Sequence, residues 1–305
     1  MEVGKTITDA FIDPNDPSSV LGIISSATGS GLYPSKDGGQ NFGAPILATG
    51  EQFVSVEIAT SPGIVYATSV VLPGGAAPAG AALYRSGDGG AKFSRVALPV
   101  AAGGIVRIAA VDPADGNTVY LRISELGGDF LAITTDGGVT VTRALQSQSA
   151  LTGFARGPDR ALYAGNRAGA FFTRPPSAGT FTTSAGPHLA CLGVRGNRLY
   201  ACGDGIQDSF DLATSDDGGK TFQRSLRFVD LQGPLACGQV PAACSQDFAN
   251  LQKVLASTAT SSGGCGCGSA DGSAIVMGLV ALFGARRRKR RLCAPPVTGR
   301  PSPQR

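Results

Sequence analysis

The chain has 305 residues, among them 44 glycines and 19 prolines, and 16% of its residues are charged. This composition favours tight turns over long helices, so an all-β fold is the first expectation. The formal net charge is +4, but residues 286–305 hold eight of the 26 basic residues and no acid, which leaves 18 basic against 22 acidic residues elsewhere. A net charge of −4 there argues against a nucleic-acid partner.

A short motif recurs in residues 35–42, 86–93, 134–141 and 215–222, with the pattern Ser/Thr-x-Asp-Gly-Gly-x-x-apolar. Its aspartates lie 51, 48 and 81 residues apart, and a degenerate copy at 173–181 fills the long interval. Such regular spacing indicates a repeat architecture.

Each motif is predicted to form a hairpin turn, which we call an Asp-Gly-Gly turn. The carboxylate accepts hydrogen bonds from backbone N–H groups, the glycines adopt positive φ angles, and the apolar residue leads into the next strand. The predicted turn residues are Ser35, Asp37, Gly39, Phe42, Ser86, Asp88, Gly90, Phe93, Thr134, Asp136, Gly138, Ser215, Asp217, Gly219 and Phe222. A calcium loop is the alternative, although each copy offers one reliable carboxylate where Ca²⁺ takes six to eight oxygens. No metal or other cofactor is therefore expected.

Four strand-like runs surround each turn. In the second unit they are 54–59, 64–71, 81–86 and 93–98, and in the third 105–111, 118–124, 130–134 and 139–145. Tyrosines recur near the start of the second run, at Tyr66, Tyr120, Tyr163 and Tyr200. Four strands per 40 to 50 residues are typical of a β-propeller blade. The repeats predict five four-stranded blades at 6–50, 51–100, 101–148, 149–186 and 187–230.

The turns resemble the Asp-box, or BNR, repeats of sialidases, sortilin-type receptors, photosystem assembly factors and some glucanases. The resemblance covers residues 6–230 and implies a propeller with the turns at its rim. Because propellers of that group more often have six or more blades, we expect an N-terminal truncation that removes a signal peptide, either alone or with one or more blades. The segment Met1–Thr6 has neither the basic start nor the apolar run of a secretory signal.

All seven cysteines lie in the C-terminal half, which favours an exported, oxidising environment. The pair Gly196-Asn197 predicts a hairpin in which Arg195 faces Arg198 and Cys191 therefore faces Cys202. Directly opposed strand residues are close enough for a disulfide, and two buried thiols are the alternative. Cys237 and Cys244 bracket a loop that a second disulfide would close, and 245–256 reads as a short helix capped by Ser245.

The C-terminus combines a small-residue linker with Cys265 and Cys267, an apolar run and six consecutive basic residues. A twelve-residue helix is about 18 Å long, which is short for a membrane span and suits a sorting signal. The order resembles the sorting tails of myxobacterial surface proteins over 263–291, which implies cleavage near 264–267 and a lipidated cysteine; residues 292–305 extend beyond that pattern. A nucleic-acid patch or a metal site is less consistent with this arrangement.

The predicted divisions are a propeller at 1–235, a disulfide-closed loop and helix at 236–258, a linker at 259–273, an apolar sorting helix at 274–285 and a basic tail at 286–305.

The remaining acids form no recognisable catalytic pair, and His188 is the only histidine. The sequence therefore predicts a non-enzymatic propeller at the cell surface or outer membrane. Its partners would be an unknown protein or glycan, the sorting machinery and, through the tail, the membrane. The rival prediction is a glycoside hydrolase, because Asp-box propellers include such enzymes.

Overall fold

The computed structural model describes residues 6–26, 29–71, 79–233 and 246–254. Within these ranges the chain forms five antiparallel sheets, each built from consecutive strands, and together they make a five-bladed β-propeller. The all-β propeller expected from the repeats is confirmed.

The strands follow the chain without crossovers. The first blade contains β1 (Thr6–Asp13), β2 (Asp16–Ser26) and β3 (Gly29–Ser35); the second β4 (Gln52–Ile58), β5 (Val65–Val71), β6 (Gly80–Ser86) and β7 (Ser94–Leu98); the third β8 (Ile105–Val111), β9 (Val119–Glu125), β10 (Gly128–Thr134) and β11 (Thr142–Ser147); the fourth β12 (Leu151–Arg156), β13 (Leu162–Asn166), β14 (Ala170–Arg174) and β15 (Thr182–Ala185); the fifth β16 (Cys191–Arg195), β17 (Arg198–Cys202), β18 (Leu212–Ser215) and β19 (Gln223–Leu226). The first strands of successive blades pack against one another, so they lie nearest the propeller axis.

The first blade has three full strands, and its fourth is reduced to one bridge. Leu32 N–H donates to Leu47 O at 2.9 Å, and Ile46 N–H donates to Leu32 O at 2.9 Å. Pro45 precedes this bridge and has no N–H to give to a ladder. Pairing therefore does not extend beyond these contacts.

The strand boundaries of the second and third units lie close to their predictions, with one error. The fourth strand of the third unit was expected to begin at Val139, but β11 begins at Thr142. Val139 belongs to the turn and is 74% exposed. The apolar residue that reaches the core is Val141, two positions later.

Apolar side chains fill the spaces between successive blades. Four clusters are present, one for each neighbouring pair from blades 1 and 2 to blades 4 and 5. Between blades 2 and 3, Tyr66 and Leu83 of one sheet pack with Leu121 and Ile123 of the next. Each blade thus covers one face of its neighbour, which is how repeat folds bury a core that no single unit could close.

The first strands carry a feature that the sequence did not reveal. In four blades one residue of the first strand is skipped in the pairing with the second: Thr8, Val54, Ala109 and Thr152. These β-bulges increase the local twist of the strands nearest the axis. In the fifth blade, β16 and β17 pair without interruption.

A 3-10 helix (Phe228–Asp230) follows the last strand, and residues 246–254 form the predicted short helix. Gln252 Nε2 donates to Leu231 O at 2.7 Å and so joins this helix to the segment after the propeller. In the part of the chain described, no helix combines the length and apolar character needed to cross a membrane.

Candidate functional site

The four Asp-Gly-Gly turns share one hydrogen-bond pattern. In the first turn, Ser35 Oγ donates to Asp37 Oδ1 at 2.7 Å and accepts the N–H of Gly39 at 2.9 Å. Asp37 Oδ1 also accepts Asn41 N–H at 2.9 Å. The same three bonds recur in the turns that begin at Ser86, Thr134 and Ser215.

These bonds stabilise the ionised carboxylates. Several hydrogen bonds together lower the pKa values of Asp37 and Asp136 to about 2, and the largest effects come from the Asn41 N–H and the Thr140 hydroxyl, respectively. The pKa values of Asp88 and Asp217 are also lowered, and the largest effects come from the Lys92 N–H and the Thr221 hydroxyl, respectively. Within the described ranges no group of three or more acidic, histidine or cysteine side chains is placed to hold a metal ion. The turn oxygens are used by the turns themselves.

The second glycine of a turn also packs against the preceding blade. Gly90 and Gly138 have φ values of 93° and 101°. A Cβ on Gly90 would lie 2.7 Å from Ile46 Cδ1, and one on Gly138 would lie 2.5 Å from Leu83 Cδ2. The turns therefore contribute to contacts between blades as well as to hairpins.

The degenerate fourth copy occupies the equivalent place in blade 4. Residues 175–181 join β14 to β15, and Ala178 N–H donates to Pro175 O at 3.0 Å in place of the carboxylate bonds. Phe181 immediately precedes β15, as Phe93 and Phe222 precede β7 and β19. The aromatic position of the motif is thus retained in blade 4 without the aspartate.

The predicted disulfide joins Cys191 to Cys202 across β16 and β17, with 4.9 Å between the Cα atoms. Arg195 pairs with Arg198, as the turn predicted. The disulfide prediction for Cys237 and Cys244 and the lipidation prediction for Cys265 and Cys267 fall outside the described residues.

Strand register identifies one equivalent position in all five blades. In each blade, one residue of the second strand pairs with the Ser or Thr that begins the turn, or with Arg174 in blade 4. The equivalent position lies three residues further along that second strand. With its first-strand partner it gives the pairs Asp9–Ile23, Ser55–Thr68, Arg107–Arg122, Gly153–Gly165 and Cys191–Cys202, which we call the axial layer. No two blades carry the same chemistry in this layer.

Two cavities near the axis are bounded by this layer. One, of about 250 Å³, lies mainly between blades 3 and 4 and is lined by Arg107, Arg122, Gly153 and several apolar residues, with Cys191 and Leu192 of blade 5 at its border. We call it the blade 3–4 cavity. The other, of about 490 Å³, is bounded by blades 1 to 3 and includes Asp9, Ser55 and Arg107. Arg107 borders both.

The arginine pair sets the electrostatics of the blade 3–4 cavity. Arg122 Nη1 donates to Leu151 O at 2.6 Å, whereas its Nε is buried without a hydrogen-bond partner. Burial, and then the charge of Arg107, lower the pKa of Arg122, and Asp129 partly opposes this effect. Asp129 is itself engaged, because its Oδ2 accepts Leu151 N–H at 2.8 Å. Arg107 is exposed and has no hydrogen-bond or ion-pair partner among the described residues.

Two carboxylates lie close together where blades 1, 2 and 3 meet. Asp9 Oδ2 accepts Val56 N–H at 3.0 Å, and Glu57 Oε1 accepts Val111 N–H at 2.8 Å. Burial raises the pKa of Glu57 to about 7, and the negative charge of Asp9 adds to the increase. Each carboxylate joins the first strand of its own blade to that of the next.

The single histidine has a structural partner. His188 Nδ1 lies 2.9 Å from Asp208 Oδ1, and the His188 N–H donates to Asp208 Oδ2 at 2.9 Å. Asp208 Oδ2 also accepts Asp204 N–H at 2.8 Å. These bonds hold the loop between β17 and β18 against the strand entry at Leu189.

Sequence reasoning did not single out Arg107, Arg122, Asp9 or Glu57 as a site. A signal for the arginines was available, because each interrupts an apolar run, Val106-Arg107-Ile108 and Leu121-Arg122-Ile123. These runs belong to the first and second predicted strands of the third unit, and the bulge at Ala109 brings their arginines opposite one another. No such signal marked the two carboxylates, since their proximity depends on how blades 1 and 2 pack.

No protein family and no curated protein matches the chain. Solved structures with a similar fold include the GH74 enzyme of Niastella koreensis, with a TM-score of 0.55, 17% identity, and coverage of 73% of this chain and 38% of that chain. The GH74 xyloglucanase of Xanthomonas campestris gives a TM-score of 0.53, 18% identity, and coverage of 72% and 38%. YCF48 bound to D1 peptide gives a TM-score of 0.49, 14% identity, and coverage of 72% and 68%.

The chain spans about two fifths of the length of these GH74 enzymes. At such low identities the similarity establishes the β-propeller fold and not an activity.

Proposed function

We propose that the chain is a non-enzymatic Asp-box propeller that binds or scaffolds a partner at the bacterial cell surface. The observation that carries this proposal is that most polar side chains around the axis form hydrogen bonds to the neighbouring blade. They hold neighbouring blades together, and the exposed Arg107 is the exception.

Blades 1, 2 and 3 illustrate this use. Asp9 bonds to Val56 N–H of the next blade, and Ser55 Oγ accepts Ile108 N–H at 2.8 Å. Ser55 and Thr68 also share a hydrogen bond at 2.7 Å, and Thr68 Oγ1 donates to Val106 O at 2.8 Å. Groups fixed in this way stabilise a rigid scaffold. Such rigidity suits recognition, because a rigid site loses little entropy on binding.

A second candidate function is glycoside hydrolysis, and the Asp9 and Glu57 pair is the observation that favours it. Hydrolysis of a glycosidic bond uses a protonated acid beside an ionised carboxylate. A Glu57 pKa of about 7 would keep that residue protonated at weakly acidic pH. Against a catalytic role, Glu57 does not line either axial cavity, and both carboxylates already accept backbone N–H groups.

An activity assay separates the two functions. The full chain would be incubated with xyloglucan and sialosides, alongside Asp9→Asn and Glu57→Gln, and released sugars would be measured. The binding proposal expects no turnover by any of the three proteins. Turnover by the wild type that falls a hundredfold or more in both variants would overturn it in favour of the hydrolase.

Binding requires its own positive test. The full chain would be used as bait for proteins and glycans released from the surface of intact cells, and each captured partner would then be purified and titrated directly. Saturable binding at one stoichiometry supports the proposal. Failure of every captured partner to bind in purified form contradicts it.

Delivery to the surface rests on the order of linker, apolar run and arginines in residues 259–291. We propose that this tail directs sorting and that Cys265 or Cys267 receives lipid after cleavage. Protease treatment of intact cells should degrade the wild-type propeller and spare a form in which residues 286–291 are replaced by alanine. Equal accessibility of the two forms would exclude sorting by the basic cluster.

Metabolic labelling with an alkyne fatty acid tests the lipid. Wild type should be labelled, and a Cys265→Ser, Cys267→Ser double variant should not. Replacement of the paired Cys191 and Cys202 by serine provides the matched control, since it removes two cysteines from the propeller and should leave labelling unchanged.

A further inference from the structure

The axial layer contains one pair of like charges. In the other blades the opposed residues are Asp9–Ile23, a hydrogen-bonded Ser55–Thr68, two glycines and a disulfide. In blade 3 they are Arg107 and Arg122. Like charges directly opposite one another on neighbouring strands destabilise a sheet, so this pair has a cost that the fold itself does not require.

The surroundings compensate only part of that charge. Asp129 is the carboxylate near Arg122, and its Oδ2 is held by Leu151 N–H. Arg122 Nη1 is occupied by Leu151 O and its Nε is buried, whereas Nη2 makes no hydrogen bond to the described residues. A guanidinium N–H that is not otherwise used binds a carboxylate through a charge-assisted hydrogen bond.

Apart from Thr152, whose hydroxyl donates to Leu189 O, the rest of the blade 3–4 cavity is mostly apolar. Ile108, Leu131, Leu151, Phe154 and Leu192 contribute to its walls. A site with two cationic groups and apolar walls matches an anion attached to a short hydrocarbon body. Its volume of about 250 Å³ is below the range usual for drug-sized ligands, so the body must be small.

We propose that the blade 3–4 cavity binds a carboxylate that carries a short apolar group, with Arg122 and Arg107 as its ligating side chains. Arg122 is fixed by Leu151 and positions the carboxylate, while the exposed Arg107 turns toward it. This chemistry is supplied either by a free organic acid or by the C-terminus of a peptide that ends in an apolar residue. The inference deepens the proposed binding function by naming a ligand class.

Calorimetric titration of the full chain tests the proposal with hexanoate as the probe. Wild type should bind hexanoate saturably with one site per chain, and the neutral isostere hexanamide should not bind. Arg122→Met and Arg107→Met should each weaken binding tenfold or more. Arg167→Met removes an exposed charge elsewhere in blade 4 and should bind like the wild type.

Two further arms distinguish the sources and the type of anion. A tripeptide that ends in leucine with a free carboxylate, compared with its C-terminal amide, shows whether a peptide end is accepted in place of a free acid. Inorganic phosphate should bind more weakly than hexanoate, because it has no apolar part to bury. Tighter binding of phosphate would overturn the inference.

The inference also fails if hexanoate does not bind, if hexanamide binds equally, or if the two cavity variants bind like Arg167→Met. Circular dichroism establishes that each variant is folded, and the exposed Arg107 provides a second variant if Arg122→Met does not fold. If the chain binds a purified surface partner saturably but does not bind hexanoate, only the carboxylate ligand is rejected. If it binds neither, the proposed binding function is rejected as well.

Discussion

Gly138 and Leu83 lie against each other across the boundary between blades 3 and 2, so close that any side chain at position 138 would force Leu83 to move. A Cβ on Gly138 would lie 2.5 Å from Leu83 Cδ2, and the backbone has a φ of 101°. The turn residue thus serves the hairpin and the contact between blades together.

Gly138→Ala should lower the free energy of unfolding by about 2 to 4 kcal/mol, from the left-handed backbone and the overlap with Leu83 combined. Urea denaturation followed by circular dichroism measures the change. Gly127→Ala is the matched control, because a Cβ there meets nothing within 4 Å, and its expected effect is within about 0.5 kcal/mol. Equal stabilities of the two variants would contradict the role assigned to the turn.

Thr134→Val tests the hydroxyl that organises the same turn. The buried Thr134 Oγ1 accepts Gly138 N–H at 2.8 Å and donates to Asp136 Oδ1 at 2.8 Å. Valine has nearly the same shape and leaves the N–H of a buried turn without its acceptor, which should cost about 1 to 3 kcal/mol. Thr142→Val, at an exposed strand position, should change unfolding little; a similar loss in both variants would indicate a general β-sheet effect.

Glu57→Gln should make stability less dependent on pH. The folded-state pKa of Glu57 is raised from 4.5 to about 7, mainly by burial. Below pH 4.5 the residue is protonated in the folded and the unfolded state, so it does not lower the free energy of unfolding. Between pH 4.5 and 7 only the unfolded state ionises, so the wild type loses up to about 3 kcal/mol as the pH rises.

Glutamine keeps an oxygen for Val111 N–H and cannot ionise. The variant should therefore match the wild type at pH 4.5 and exceed its stability at pH 8. The turn aspartates Asp37 and Asp136 stay ionised throughout this range because their pKa values are about 2. A constant difference between variant and wild type from pH 4.5 to 8 would show that Glu57 does not titrate as described.

Reduction of the Cys191–Cys202 disulfide should lower stability by about 2 to 3 kcal/mol, the entropy expected for a closed loop with a sequence separation of 11 residues. A Cys191→Ala, Cys202→Ala double variant should show the same loss and become insensitive to dithiothreitol. If the reductant still destabilises the double variant, its effect on the wild type does not come from this bond.

The sequence predicted those parts of the fold that depend on local chemistry. The serine, aspartate and glycines of each turn act within a few residues, and Gly196-Asn197 determines the pairing of Cys191 with Cys202. The bulges at Thr8 and Ala109 depend instead on the twist of strands near the axis, and no residue type marks them.

The same distinction applies to the candidate site. Arg107 and Arg122 belong to one hairpin, but they face each other only because the bulge at Ala109 shifts the register by one residue. The cavity beside them depends on the approach of blades 3 and 4, and the raised pKa of Glu57 depends on burial between blades. Interactions between repeats that are distant in sequence leave no periodic signal, so the site emerged only from the structure.

The axial layer also determines which blade can stand beside which. A Cβ on Gly153 would lie 2.8 Å from Leu192 Cβ, so the fifth blade approaches the fourth closely only because that position is glycine. Its counterparts in the other blades are aspartate, serine, arginine and cysteine, each of which would obstruct this approach. A fifth blade packed in this way on any other blade would meet a side chain at this position, so the glycine favours its pairing with the fourth blade during folding.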